Sequence, residues 1–287
     1  MSNSATESGN DPCHWLALSI GNTRLHWAWF QAEICQQVWH TPHLDPSAGE
    51  KLIHAWNRGQ LWNEDLEYPG PLECEAIAPN PPLWIASVVP QQLARWESYP
   101  GFNRITLEDL PLLGLYPTLG IDRALTLVGA AREWGSPVLV VDAGTALTLT
   151  GADPEGRLVG GAILPGFGLQ LQSLTEKTAA LPPVTFPETL PPRWALTTSE
   201  AIASGVLYGI GAGVRDFIHD WKERFPTSAV VITGGGGELL LKYLHQSAPE
   251  MAKQAIAMPD LIFAGICCIK QQQSGSTSPP PRVKPLS

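Results

Sequence analysis

The chain has 287 residues, of which 44% are hydrophobic and 16% charged, and its formal net charge is -9. This length and composition exclude a fully disordered chain and predict about two domains, with cores large enough to need no disulfide or metal. An acidic chain without a long Lys/Arg run is a poor candidate for non-specific nucleic-acid binding, and no stretch approaches the roughly 20 apolar residues of a membrane span, so we expect neither nucleic acid nor membrane as a partner.

Both ends of the chain are polar. Residues 1–13 are rich in Ser, Asn and Gly, and residues 272–287 are rich in Pro, Ser and Gln. Segments of this kind bury too little apolar surface to offset the entropy lost on ordering, so we expect two disordered tails. The N-terminal segment lacks the pattern of a signal peptide, and the five cysteines fit reduced thiols. The sequence therefore predicts a cytoplasmic protein.

The apolar pattern predicts a chain in which strands and helices alternate. Period-two alternation or short apolar runs indicate strands, and apolar residues three and four apart indicate helices. In chain order the prediction gives two strands within 15–30, a helix around Trp56, a strand over 83–89, a helix over 121–134, a strand-turn-strand unit over 137–153, a third strand over 156–166, a helix over 199–224, a strand and helix joined by glycines within 228–244, and a final helix over 260–271.

One strand-turn-strand unit occurs twice. Residues 19–23, Ser-Ile-Gly-Asn-Thr, align with residues 142–146, Asp-Ala-Gly-Thr-Ala, 123 positions later. The duplication predicts two similar halves that face each other. Glycine-centred turns expose backbone N–H groups that can hold phosphate, and a third such turn, 233–237, opens a helix. Each turn alone is more often an ordinary connection, but three together favour phosphate binding.

Five motifs occur in a fixed order along the chain: IGNTR at 20–24, GIDR at 120–123, DAGTALT at 142–148, GGAILPG at 160–166 and TGGGG at 233–237. In this order they resemble type III pantothenate kinases, of the superfamily that includes acetate and sugar kinases and actin-like ATPases. The same family includes relatives described as Bvg accessory factors. The resemblance spans essentially the whole predicted folded body.

The resemblance implies an α/β fold of two actin-like (ribonuclease H-like) domains, with mixed sheets flanked by helices and an ATP cleft between them. We expect residues 14–118 to form the N-terminal domain with the phosphate loop. Residues 119–271 would form the C-terminal domain with the catalytic base and the dimer contacts.

The implied activity is an ATP-dependent phosphoryl transfer to the hydroxyl of pantothenate, which gives phosphopantothenate in the first step of coenzyme A synthesis. The resemblance also implies Mg²⁺, a monovalent cation (K⁺ or NH₄⁺) and a homodimer. The family's first loop normally begins with Asp, where this chain has Ser19. A non-catalytic regulatory or ligand-binding relative on the same scaffold therefore stays open as the alternative, and a plain actin-like ATPase is a third.

The resemblance also assigns roles to individual residues. Asp122 matches the base that takes the hydroxyl proton, and Arg123 matches the group that holds the pantothenate carboxylate, which suits a guanidinium. The other matched positions are the substrate contacts Gly120, Ile121, Thr198 and Tyr116, the ATP contacts Ser19, Ile20, Gly21, Asn22, Thr23, Arg24, Thr145, Gly234 and Gly235, and the cation ligand Asp142.

Simpler roles are open for the same side chains. Asp122 could cap the helix that follows it, Arg123 could form a surface ion pair, and Asp142 could brace its own turn. The seven histidines are scattered along the sequence without metal-ligand spacing, so we expect them at the surface or in the core.

Overall fold

The computed structural model describes residues 14–62, 66–67, 70, 77–186 and 189–275. The predicted tail 1–13 lies outside the described residues, as does most of the predicted tail 272–287. The described residues form two units, one of residues 14–109 with 266–275 and one of residues 110–265.

The predicted boundary lay between residues 118 and 119, whereas here the first unit ends at residue 109 and also includes residues 266–275. Gln273 Nε2 donates to Asp109 Oδ1 at 3.0 Å, and the Lys270 ammonium lies 5.8 Å from the centre of the Trp15 ring. Contacts of this kind follow from tertiary packing and have no local signature in the sequence.

The first unit is built on a five-stranded sheet. Its elements are β1 (His14–Ile20), β2 (Leu25–Gln31), β3 (Ile34–Thr41), α1 (Pro46–Asn57), β4 (Leu83–Ser87), α2 (Pro90–Leu93) and β5 (Phe102–Arg104). The strand order is β3-β2-β1-β4-β5. β1, β2 and β3 pair antiparallel, whereas β4 runs parallel to β1 and β5 parallel to β4.

Tryptophan fills the core of this unit. Trp27 is fully buried, and its ring centroid lies 5.5–6.3 Å from those of four other buried tryptophans, Trp39, Trp56, Trp62 and Trp96. Most of these contacts are edge-to-face, a favourable arrangement for aromatic quadrupoles. The core of the first unit is therefore largely aromatic.

The second unit carries the remaining elements. They are α3 (Ile121–Trp134), β6 (Val138–Ala143), β7 (Ala146–Ala152), β8 (Leu158–Pro165), α4 (Phe167–Lys177), α5 (Thr198–Arg224), β9 (Ala229–Thr233), α6 (Gly237–Ser247), α7 (Pro249–Ala252), β10 (Ala255–Ala257) and α8 (Leu261–Gln273), whose C-terminal part joins the first unit. The strand order is β10-β9-β6-β7-β8.

The two sheets have the same topology. β6, β7 and β8 pair antiparallel, and β9 and β10 extend the sheet parallel to β6, as β4 and β5 do beside β1. Ser19 and Asp142, aligned by the near-repeat, are each the penultimate residue of the equivalent strand. The predicted α/β class with two mixed, helix-flanked sheets is confirmed.

α5 is the apolar helix at the centre of the second unit. Among the helices of the described residues it alone has the length and hydropathy that a membrane crossing needs, and half of the relevant window is buried. Its residues Leu207, Ile210 and Val214 lie in the unit's hydrophobic core. The sequence analysis expected no stretch long and apolar enough for a membrane span and so overlooked this helix. Its apolar residues pack in the core of the second unit.

Candidate active site

Asp122 lies in the first turn of α3. The N-cap of this helix is Gly120, so the alternative that Asp122 caps the helix is wrong. Its Oδ1 accepts the backbone N–H of Arg123 at 2.8 Å. A β-carbon at Gly120 would lie 2.5 Å from that same oxygen, so glycine gives the carboxylate its room. A carboxylate here also faces the positive end of the helix dipole.

Arg123 is directed into the unit and is 7% exposed. Its Nε donates to Thr150 Oγ1 at 3.0 Å, one Nη donates to the Tyr116 hydroxyl at 3.2 Å, and the other donates to the Leu149 carbonyl at 3.2 Å. None of the ion pairs found among the described residues involves it. The surface ion-pair alternative is therefore wrong, and among the described residues the guanidinium donates only to neutral acceptors.

Gly161 makes room for that guanidinium. It faces Thr150 across the β7–β8 pairing. A β-carbon at Gly161 would lie 1.9 Å from the Leu149 carbonyl oxygen and 2.6 Å from the Arg123 guanidinium. The glycine therefore lets β8 approach β7 closely enough to enclose the arginine.

We expect Gly161→Ala to lower the free energy of unfolding by about 2–4 kcal/mol, because the methyl group must displace either the β7 backbone or the buried guanidinium. Urea denaturation measures the change. The matched control is Gly209→Ala in α5, where the added methyl group meets open space. Because alanine favours the helix over glycine, we expect Gly209→Ala to raise the free energy of unfolding by up to about 1 kcal/mol. Equal stability of the two variants would contradict the close approach.

Asp142 is the penultimate residue of β6 and lies beside two glycines. A β-carbon at Gly234 would lie 2.3 Å from Asp142 Oδ1, and one at Gly144 would lie 3.4 Å from it. Burial, and secondarily the charge of Asp122, raise the pKa of Asp142 to about 6. We infer from the effect of Asp122 that the two carboxylates lie within electrostatic range of each other. Among the described residues no hydrogen bond joins the Asp142 carboxylate to its turn, so the turn-bracing alternative gains no support.

The glycine turn after β9 packs against the end of β6. Gly234 has a φ of +82°, which favours glycine, and the Gly236 N–H donates to the Ala143 carbonyl at 2.8 Å. A β-carbon at Gly235 would meet nothing, so the backbone is open there. Thr145 is exposed in the neighbouring β6–β7 turn. The structure thus brings Asp142, Thr145 and the turn to one edge of the second sheet.

The first unit presents the other glycine turn. Ser19 and Ile20 are buried at the end of β1, whereas Asn22, Thr23 and Arg24 are exposed. The Gly21 N–H donates to the Arg24 carbonyl at 3.0 Å and closes the turn. The predicted strand-turn-strand unit is confirmed.

Three histidines surround this turn, which the sequence analysis did not foresee. His43 Nε2 donates to the Gly21 carbonyl at 2.8 Å. His26 and His40 face each other across β2 and β3, with their Nδ1 atoms 3.0 Å apart. Burial, then the neighbouring His40 and Arg24, lower the pKa of His26 to about 4. His26 and His40 become neighbours only through the pairing of β2 with β3, and the sequence alone does not give the register of that pairing.

The lowered pKa of His26 makes stability depend on pH. The unfolded chain takes up this proton near the ordinary value of 6.5, but the folded chain only near 4, so stability is lost as the pH falls through that window. When the pH falls from about 7.5 to about 5, we expect the free energy of unfolding of His26→Asn to decrease by about 1–2 kcal/mol less than that of the wild type. Chemical denaturation at both pH values measures this. The exposed His54→Asn is the control, and equal acid losses in both variants would contradict the assignment.

Thr198 is the first residue of α5 and is exposed. The preceding Thr197 is the N-cap and accepts the Glu200 N–H at 3.3 Å. Within the described residues no hydrogen bond joins Thr198 to Asp122 or Arg123. Tyr116, in contrast, is brought directly to Arg123. The residues that sequence reasoning missed here are Thr150 and Gly161, although both lie in or next to motifs that it quoted.

These features define a class of protein before any comparison is made. Twin sheets have glycine turns at equivalent strand ends, and a carboxylate lies beside a buried arginine; these features fit a kinase that acts on a small anionic substrate. The sequence pattern of the type III pantothenate kinase family matches residues 15–220. The chain belongs to this family.

Relatives support the assignment over most of the chain. The type III pantothenate kinase of Nostoc sp. is 50% identical over 260 residues, which cover 88% of this chain and 92% of the relative. That of Synechocystis sp. is 42% identical over 258 residues, covering 89% and 90%. Among solved structures, a Baf-family protein described as a transcriptional activator from Campylobacter jejuni matches with a TM-score of 0.58 at 19% identity, covering 91% of this chain and 99% of that one. This last likeness supports the fold alone.

Proposed function

We propose that the chain transfers the γ-phosphoryl group of ATP to the hydroxyl of pantothenate, the first step of coenzyme A synthesis. The observation that carries the proposal is the Asp122–Arg123 pair, a carboxylate at a helix start next to a buried guanidinium that has only neutral acceptors. The family and its relatives favour this kinase over a non-catalytic regulator.

Arg123 is proposed to bind the pantothenate carboxylate. A buried guanidinium whose hydrogen-bond acceptors are neutral is stabilised when an anion binds, and its planar fork suits a carboxylate. Thr150 and the Leu149 carbonyl fix the plane of the fork, and the Tyr116 hydroxyl completes the pocket. Gly120, Ile121 and Thr198 complete the proposed set of substrate contacts.

Asp122 is proposed to accept the hydroxyl proton as the phosphoryl group is transferred. It lies two residues after Gly120, whose missing β-carbon leaves its carboxylate unobstructed. Because Asp122 and Arg123 are adjacent in one helical turn, binding of the substrate carboxylate would also orient the hydroxyl toward the base. Positioning of this kind supplies much of the rate of phosphoryl transfer.

ATP is proposed to contact backbone N–H groups at the glycine turns. The exposed residues Asn22, Thr23 and Arg24 offer donors in the first unit. Ser19, Ile20 and Gly21 complete the proposed set of ATP contacts there. Thr145, Gly234 and Gly235 offer an open backbone edge in the second unit. ATP is expected to be used as its Mg²⁺ complex, as is general for such kinases.

The residues at the end of β6 fit a monovalent cation. Asp142 is a half-buried carboxylate whose ionisation is opposed by burial and by Asp122, and a K⁺ or NH₄⁺ ion beside it would relieve both effects. Its oxygen is the ligand type that hard cations prefer. When bound, such a cation would supply positive charge near the phosphates.

We also propose a cytoplasmic homodimer. The observation that supports the dimer is the segment before α5, where Trp194 and Leu196 are 89% and 99% exposed. Large apolar side chains left bare on one segment commonly mark an interface. The mass in solution, measured by light scattering, tests this.

The experiment for the activity is phosphopantothenate formation from pantothenate and Mg-ATP, measured with and without K⁺ or NH₄⁺. We expect phosphopantothenate to form both with and without the monovalent cation, and faster when the cation is present. No product from folded protein that still binds ATP would contradict the kinase and support the regulator. Equal rates with and without the cation would contradict only the role of Asp142.

A further inference from the structure

The Gly21–Arg24 turn is held from outside by a side chain distant in sequence. The Gly21 carbonyl accepts the Nε2–H of His43 at 2.8 Å, a bond between residues 22 positions apart. The Gly21 N–H is already used within the turn, where it donates to Arg24. Both polar backbone groups of Gly21 are therefore fixed, whereas the next three residues are exposed.

His43 itself sits on a rigid support. Two residues before it, Thr41 ends β3 and its hydroxyl accepts the buried Trp27 indole N–H at 3.1 Å. Immediately after it, Leu44 is buried and its carbonyl accepts the Arg95 guanidinium. Asp45 then caps α1 by accepting the Ala48 N–H at 3.0 Å. The backbone on both sides of His43 is therefore anchored, so that the imidazole is directed at the turn.

The bond to the Gly21 carbonyl also sets the direction of the next backbone donor. In a trans peptide, the C=O of one residue and the N–H of the next point in opposite directions. With the Gly21 carbonyl turned toward His43, the Asn22 N–H points away from it. Within the described residues no hydrogen bond takes up that N–H. Outward-directed N–H groups of this kind form the anion-binding concavity of a phosphate loop.

We propose that His43 is a positioning residue for ATP, which holds the Gly21–Asn22 peptide so that its N–H faces the phosphates and its carbonyl does not. The inference rests on the function proposed above, in which this turn contacts ATP. His26 also lies near this turn, since a β-carbon at Gly21 would be 3.8 Å from its Nε2. His43 acts through the peptide and does not touch the reacting atoms.

The test compares two substitutions of similar length. His43→Gln keeps an N–H donor near the position of Nε2, and His43→Met removes it. We expect His43→Met to raise the KM for ATP about five- to tenfold, the usual worth of one hydrogen bond, with the KM for pantothenate unchanged. We expect His43→Gln to stay within about twofold of the wild type. His54 is exposed in the same unit, so His54→Met is the control and should leave the KM for ATP unchanged.

Calorimetric binding of a non-hydrolysable ATP analogue and thermal unfolding accompany the kinetics. A rise in KM for ATP in the Met variant, restored by Gln at equal melting temperature, supports the proposal. A wild-type KM in His43→Met overturns it, as does equal impairment of both variants, which would indicate packing alone. If the wild type forms no phosphopantothenate, the proposed function fails, but analogue binding by the same variants still decides the role of His43.

Discussion

Asp122→Asn is expected to lower kcat by about a thousandfold while the protein stays folded, because a positioned general base contributes about two to four orders of magnitude. Asn has nearly the same shape but cannot accept the hydroxyl proton. The substitution also removes one of the two causes of the raised pKa of Asp142, so that pKa should fall toward its ordinary value. Steady-state kinetics measure the first effect, and carboxylate NMR titration measures the second.

The control for this variant is Asp220→Asn, the same chemical change at an exposed position of α5. It should leave kcat within about twofold of the wild type, as is usual for surface substitutions. An Asp122→Asn enzyme that turns over within about tenfold of the wild type would refute the role of Asp122 as base. An unchanged pKa of Asp142 would contradict the proximity of the two carboxylates.

Arg123→Met is expected to lower kcat/KM for pantothenate about a hundred- to a thousandfold, because it removes one partner of a buried charge pair. The melting temperature of the free protein should change little. A buried cation without a carboxylate partner is costly, and its removal offsets the three lost hydrogen bonds. Pantothenate should no longer raise the melting temperature of the variant, whereas an ATP analogue still should.

The exposed Arg215→Met serves as the matched control, with wild-type kinetics expected. Unchanged pantothenate affinity in Arg123→Met would exclude the carboxylate clamp. A parallel loss of ATP-analogue binding would show that the residue supports the unit as a whole and not the substrate in particular.

The parts of the fold that the sequence predicts are those that depend on local pattern. α3 is bounded by Gly120 and Gly135, and its apolar spacing runs between them, so its limits follow from the sequence alone. The strands on both sides of Gly21 likewise carry large apolar residues at every second position, Leu16, Leu18 and Ile20 before it and Leu25, Trp27 and Trp29 after it. β3 was missed because its sequence, ICQQVWHT, is polar along much of its length, and β5 and β10 have only three residues each.

The residues of the candidate site also fall into those that the sequence could identify and those that it could not. Asp122 and Arg123 are neighbours in a motif, so the sequence analysis could name both. The partners of Arg123 could not be derived, because they depend on strand register: Thr150 faces Gly161 across two strands and lies 27 residues from the arginine. A shift of one residue in that pairing would direct Thr150 to the opposite face of the sheet. The three histidines around Gly21 were missed for the same reason.

The tryptophan core has a consequence for how the two units can be observed. Eight of the eleven tryptophans of the chain lie in the first unit, and all eight are buried there. Intrinsic fluorescence therefore reports mainly the unfolding of the first unit, while far-ultraviolet circular dichroism weights the more helical second unit. If both signals change at the same denaturant concentration, the units unfold cooperatively; if they separate, each unit has its own transition and a single free energy of unfolding does not describe the chain.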